Sequence, residues 1–211
     1  MNVRSRIVFA LIVVITCSAF LQTTSAAVHQ LAISPPASLA LNLGTTTYPG
    51  DHAQGLSPLN ETAQPLTTTA SGGALGPMTY DDVTNMLSLD YGYGSFYGFT
   101  DLVGNWTDTH IHGNGTNTAL FPAPNGSVGV TIGLAASHVA QGTKSGRVTT
   151  TVALSATQET WLFNNQLYLN VHSSSFLPGE VRGQLVIIPE PATLALASIT
   201  LLGMGVARRR R

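Results

Sequence analysis

Apolar positions in this chain form one uncharged block near each end and a series of short alternating runs between them. Ile7 to Leu21 is the first block. It follows Arg4 and Arg6 and gives way to Gln22-Thr23-Thr24-Ser25-Ala26-Ala27. The second runs from Ala192 to Ala207, after Pro189-Glu190-Pro191 and before Arg208-Arg209-Arg210-Arg211. Between them, Asn85 to Tyr91 sets Leu87, Leu89 and Tyr91 against Met86, Ser88 and Asp90, the period of a half-buried strand. Strands are also predicted at Trp106 to His112, Ser127 to Leu134, Gly146 to Leu154, Leu167 to His172 and Glu180 to Ile188. Asn125-Gly126 and Pro178-Gly179 read as turns, and Gly92 to Phe99 as a turn and a further strand. One helix is predicted at Ala156 to Asn164, and Val28 to Gly50, with Pro35-Pro36, reads as a leader or linker. Many short strands with regular turns predict an all-β antiparallel sandwich or barrel.

The end blocks carry sorting information. A basic start, a short apolar run and small residues make a secretory signal over 1–27, cut after Ala26 or Ala27. As a helix, 192–207 would span about 24 Å at ~1.5 Å rise per residue. That is short for a ~30 Å hydrocarbon core but tolerable with local thinning. Four terminal arginines resist translocation, so the tail is expected to act as a transmembrane helix while the middle of the chain is exported. The main domain is expected over 51–188 and the tail over 189–211.

Charge changes the picture once the ends are set aside. Between Val28 and Pro191, Lys144, Arg147 and Arg182 face ten acidic residues, a formal charge of −7. Nucleic acid is therefore not an expected partner. Cys17 is the one cysteine and lies in the first block, so the exported region has no disulfide. Charged residues are scarce and Gly, Thr, Ser and Asn common, which favours strands and turns.

Three histidines are the candidates for chemistry. His110 and His112 alternate on one predicted strand and so share a face, with Ile111 on the other. His172 ends another predicted strand. If those strands are neighbours, three imidazoles converge, a set suited to copper or zinc, with Asp108 as a ligand or outer partner. The alternative is that these imidazoles hydrogen-bond within the sheet. His29, His52 and His138 are expected in solvated loops. Glu180 and Arg182 share a strand face and could pair with each other or with a neighbour, and an ion pair at the strand edge is expected. No nucleophile elbow, His-Glu-x-x-His helix or phosphate loop is present, so a non-enzymatic protein is expected.

Two resemblances rest on particular residues. Pro189-Glu190-Pro191, the apolar segment and the terminal arginines together resemble the PEP-CTERM sorting signal of Gram-negative bacteria. This implies recognition by an exosortase and the export machinery, cleavage near the tripeptide, and delivery to the cell envelope, the surface or an extracellular polysaccharide matrix. A polysaccharide or another surface protein is then the expected partner. His110-Ile111-His112-Gly113, Leu167 to Ser173, and Pro178-Gly179-Glu180-Val181-Arg182-Gly183-Gln184-Leu185 resemble the CHRD domain, with Leu56 to Pro65 similar to its opening segment. That resemblance covers about 51–188. It implies an immunoglobulin-like β-sandwich without a general enzymatic activity, and marks Glu61, Asn170, Pro178, Gly179, Glu180, Arg182 and Gly183 as motif residues. The His-x-His pair also resembles the copper/zinc superoxide dismutase sandwich, a hint about fold and copper.

Overall fold

The structure, a computed structural model, describes residues 27–34, 53–61, 67–113 and 129–188. Both apolar end blocks, the Pro-Glu-Pro tripeptide, Asn125-Gly126 and His52 lie outside these residues. No helix among the described residues is long and apolar enough to cross a membrane.

The described residues fold as mostly antiparallel β-structure with one α-helix. The strands are β1 (Val28–Ile33), β2 (Gly72–Ala74), β3 (Met78–Asp81), β4 (Met86–Tyr93), β5 (Trp106–His112), β6 (Val130–Gly133), β7 (His138–Gln141), β8 (Ser145–Ala153), β9 (Tyr168–Ser173) and β10 (Phe176–Ile188). They follow one hydrogen-bonded path, β6-β5-β9-β10-β1-β3-β4-β8-β7, with β2 on β4. The strands thus form one continuous curled sheet, open like half a barrel. β10 joins the halves, because its first part pairs with β9 and its last residues with β1. The sheet curls until the β7–β8 turn reaches the segment before β5, where Lys144 and Thr143 carbonyls accept from the Leu102 and Trp106 amides.

Alternation explains the core. Leu87, Leu89, Tyr91 and Tyr93 of β4 point inward beside Leu31 and Ile33, and meet Ile111, Leu169, Val171, Val181 and Leu185 from the other half. The Tyr91 hydroxyl lies 2.8 Å from that of Thr109, a direct bond across the two halves. Ser155 and Gln158 form a reciprocal capping box at the start of the helix, α1 (Ala156–Phe163).

Several expectations need correction. Val28–Ile33, in the segment read as a leader or linker, is an interior strand between β10 and β3 and not a loosely packed extension. Gly92 and Tyr93 continue β4, and a 3-10 turn over Ser95–Tyr97 replaces the strand expected there. Pro178-Gly179 is not a hairpin turn either. It lies inside β10, where the register shifts between Phe176 and Val181. Gly179 takes φ +135, a region open essentially to glycine.

Gly183 is needed for packing. A Cβ there would run into Ile33 Cγ2 and come 2.7 Å from the Gly55 carbonyl oxygen. Gly183→Ala is expected to cost about 1–3 kcal/mol by urea unfolding, the usual toll of overpacking. Gly133→Ala, with open space around its added methyl on edge strand β6, should change stability by less than about 0.5 kcal/mol. Equal effects would show that crowding at β10 is not what selects glycine.

Candidate metal centre

The centre is built on the seam between β5 and β9. These strands pair antiparallel, with Asp108 opposite His172, His110 opposite Asn170 and His112 opposite Tyr168. Directly opposed residues share a face, so Asp108, His110, His112, Tyr168, Asn170 and His172 stand on one side of the sheet. Thr109, Ile111, Leu169 and Val171 occupy the other side, where they join the core or bond to it. The apolar side thus fixes the register, and the register sets the histidines side by side.

His110, His112 and His172 are each buried, and each offers a ring nitrogen such that the three lie within 4.8 Å of one another. The His110 ring sits 4.5 Å from His112 and 4.3 Å from His172 between centroids. Two of the rings are oriented by an outer acceptor. His172 Nδ1 lies 2.6 Å from the Leu177 carbonyl, so it carries the proton and leaves Nε2 as a lone-pair donor. His172 Nε2 is buried with no hydrogen-bond partner among the described residues. His110 repeats this with its nitrogens exchanged. Nε2 is 3.6 Å from Asp108 Oδ2, and Nδ1 is the buried atom without a partner. An imidazole with one nitrogen directed at an acceptor and the other held bare is the arrangement that metal-ligating histidines adopt.

Electrostatics point the same way. Burial, and then the neighbouring His172 and His112, push the His110 pKa from 6.5 down to about 4, against the opposing pull of Asp108. The imidazole is neutral at neutral pH, as a ligand must be. Three nitrogens around Zn²⁺ or Cu²⁺ at ~2.0–2.1 Å would be about 3.3 Å apart, so the nitrogens need to close by up to about 1.5 Å. Asp108 is half-exposed, and its Oδ1 accepts from the Thr109 amide at 2.7 Å. It stands as an outer partner of His110 rather than a further ligand.

The motif residues gather next to this seam. The Arg182 guanidinium lies 3.5 Å from the centroid of the Tyr168 ring, and that ring stacks on His112 at 4.9 Å. Glu61 and Arg182 are both buried and attract each other. Glu180 is wholly buried, and its Oε1 accepts from the Thr68 hydroxyl and the Val103 amide, both at 2.7 Å. The expected Glu180–Arg182 pair at a sheet edge is thus replaced by two groups in the interior, with separate partners. A Cβ on Gly179 would come within 2.7 Å of both the Asn170 amide and Glu61 Oε1. Pro178 contributes its carbonyl to Asn170 Nδ2, at 3.4 Å. Asn60 ties the segment to β10 through its Nδ2, 3.0 Å from the Arg182 carbonyl.

Tyr168, Thr68 and Asn60 did not stand out in the sequence. For Tyr168 a signal existed, since Tyr168, Asn170 and His172 alternate against Leu169 and Val171. The other histidines also differ from expectation. His29 lies in β1, 3.3 Å from Asp82 and edge-on to Phe163. His138 stacks on Trp106 at 3.8 Å, and its Nε2 meets the Tyr93 hydroxyl at 2.6 Å.

Comparison with known proteins agrees with both resemblances. Residues 53–185 match the model of the CHRD domain, and residues 188–211 match that of the PEP-CTERM protein-sorting motif. The chain belongs to the CHRD domain family, and its sorting motif marks an exported, envelope-associated protein recognised by the export machinery and an exosortase. No curated protein and no solved structure matches it significantly.

Proposed function

We propose that this chain is an exported CHRD-domain protein that binds one copper or zinc ion through His110, His112 and His172. The observation that carries the reading is the pair of buried nitrogens, His110 Nδ1 and His172 Nε2; a hydrogen bond to Leu177 holds the His172 ring, and Asp108 lies 3.6 Å from the far nitrogen of His110. His112 completes the set from the same strand face as His110. With three protein ligands, such an ion keeps a position for water or another small donor. The remaining residues position the rings. Leu177 sets the tautomer of His172, Asp108 faces the far nitrogen of His110, and Tyr168 stacks on His112. The likeness to the superoxide dismutase sandwich extends to histidines on paired strands and not to activity.

The test is metal content. The exported chain, reconstituted with Cu²⁺ or Zn²⁺ and desalted, should retain about one equivalent. His110→Ala and His172→Ala should each fall below about a tenth of an equivalent, because a two-histidine remnant binds far more weakly. His138→Ala should keep the metal. Less than a tenth of an equivalent on the native chain would sink the proposal.

A second reading rests on the sorting motif and is compatible with the first. In it the domain has no catalytic duty and acts as a structural, adhesive or ligand-binding component of the surface or polysaccharide matrix of a Gram-negative bacterium. Deleting 189–211 should then displace the protein from the envelope. An unchanged location and an unchanged matrix would end that reading.

A further inference from the structure

The mature N-terminus is the place where the sequence left two answers and the geometry distinguishes them. Small residues allow signal cleavage after Ala26 or after Ala27. The Ala27 amide nitrogen lies 2.9 Å from Asp82 Oδ1, and the Ala27 carbonyl accepts from the Asp82 amide at 3.3 Å. Ala27 is thus held on both sides by one residue. The second carboxylate oxygen, Asp82 Oδ2, is 3.3 Å from His29 Nε2. Immediately afterwards β1 begins, with Val28 opposite Asp81 and Gln30 opposite both Thr79 and Ile188.

We propose that the signal is cut between Ala26 and Ala27, and that the α-ammonium group so created is held by Asp82. Hydrolysis of the Ala26–Ala27 peptide bond adds one water, leaves a carboxylate on Ala26 and frees an amine on Ala27. At neutral pH that amine is largely protonated and offers three donors and a full positive charge in place of a single peptide N–H. The atom receiving this charge already lies within hydrogen-bond distance of a carboxylate. A cut after Ala27 would delete the residue that Asp82 clamps. A cut further along would remove ladder bonds from a strand with neighbours on both sides. β1 follows the cut directly, so docking also anchors the end of an interior strand against fraying. Cleavage and docking require export of the chain but not the metal centre.

Two measurements test it. Intact mass and N-terminal sequencing of the chain exported from a secreting bacterial host should give Ala27 as the first residue. Val28 or any other start overturns the processing site. Docking is tested by a cycle in urea unfolding. In the chain starting at Ala27, Asp82→Asn should lower the folding equilibrium constant about 2- to 5-fold, the range of a partly exposed ion pair. In a chain carrying Gly-Ser before Ala27, which moves the charge away, the same substitution should cost less than half as much on a logarithmic scale. Equal losses in the two chains would overturn the docking.

Discussion

Replacing Arg182 with methionine will cost about 3–5 kcal/mol, the usual penalty for breaking a buried ion pair from one side. Arg182 is 1 % exposed, the largest fully buried side chain among the described residues. Burial holds its guanidinium below the usual arginine value, while Tyr168 and the attraction of Glu61 work in the opposite sense. Arginine nonetheless remains charged at any ordinary pH, so the domain encloses a permanent cation. It is tolerated because Glu61 supplies charge and the Tyr168 ring supplies an electron-rich face. Methionine keeps the volume and removes the charge, which leaves Glu61, itself 5 % exposed, inside without its cation. The double variant Arg182→Met/Glu61→Leu removes both charges and should recover much of the loss. Urea unfolding of the three variants checks this. If the single variant cost under about 1 kcal/mol, the Glu61–Arg182 attraction would not be what makes the buried cation tolerable.

The three-histidine cluster was more legible than the network beside it, for a geometric reason. His110 and His112 share a strand, and alternation alone places two residues at that spacing on one face. The third histidine required β9 to lie beside β5, which the sequence suggested only as a condition. The structure supplies it through a register set by Ile111, Leu169 and Val171 on the opposite side. Glu180 and Arg182 were visible as a pair on one face, but their partners come from Thr68, Val103 and Glu61, far away in the chain. No local pattern encodes such contacts. The same holds for His138, whose fragment is too short and polar to suggest a strand, yet which is held between Trp106 and Tyr93. β2, β3 and β7 span only three or four residues each, too few for alternation to stand out. β1 was obscured by its neighbours, an apolar block before it and Pro35-Pro36 after it. Pro178-Gly179 misled because glycine at positive φ serves bulges as readily as turns. What identifies a bulge is that β10 continues to pair with β9 on both sides of it.

The metal-free domain will lose stability as the pH falls from 6.5 toward 4, by up to about 3 kcal/mol. His110 carries most of this, since its pKa drops from 6.5 in the unfolded chain to about 4 in the fold, chiefly through burial and then through His172 and His112. Between those values the unfolded chain binds the proton and the folded chain does not, so protons favour unfolding. Stability is complete above about 6.5 and declines as the pH is lowered through the window. A tenfold difference in proton affinity between the two states is worth ~1.4 kcal/mol, which sets the upper limit. His138 adds to the same trend, because burial lowers its pKa as well. Urea midpoints of the chelator-treated chain from about pH 4 to 8 give the curve, and His110→Gln should flatten it while leaving the part due to His138. Saturating copper or zinc should raise stability at neutral pH, and that gain should shrink in acid as protons compete for the same nitrogens. A metal-free curve level from about pH 4 to 7 would mean that the His110 ring takes up its proton inside the folded domain at the ordinary pKa. Three imidazoles would then not form the neutral, tightly enclosed set on which the metal proposal rests.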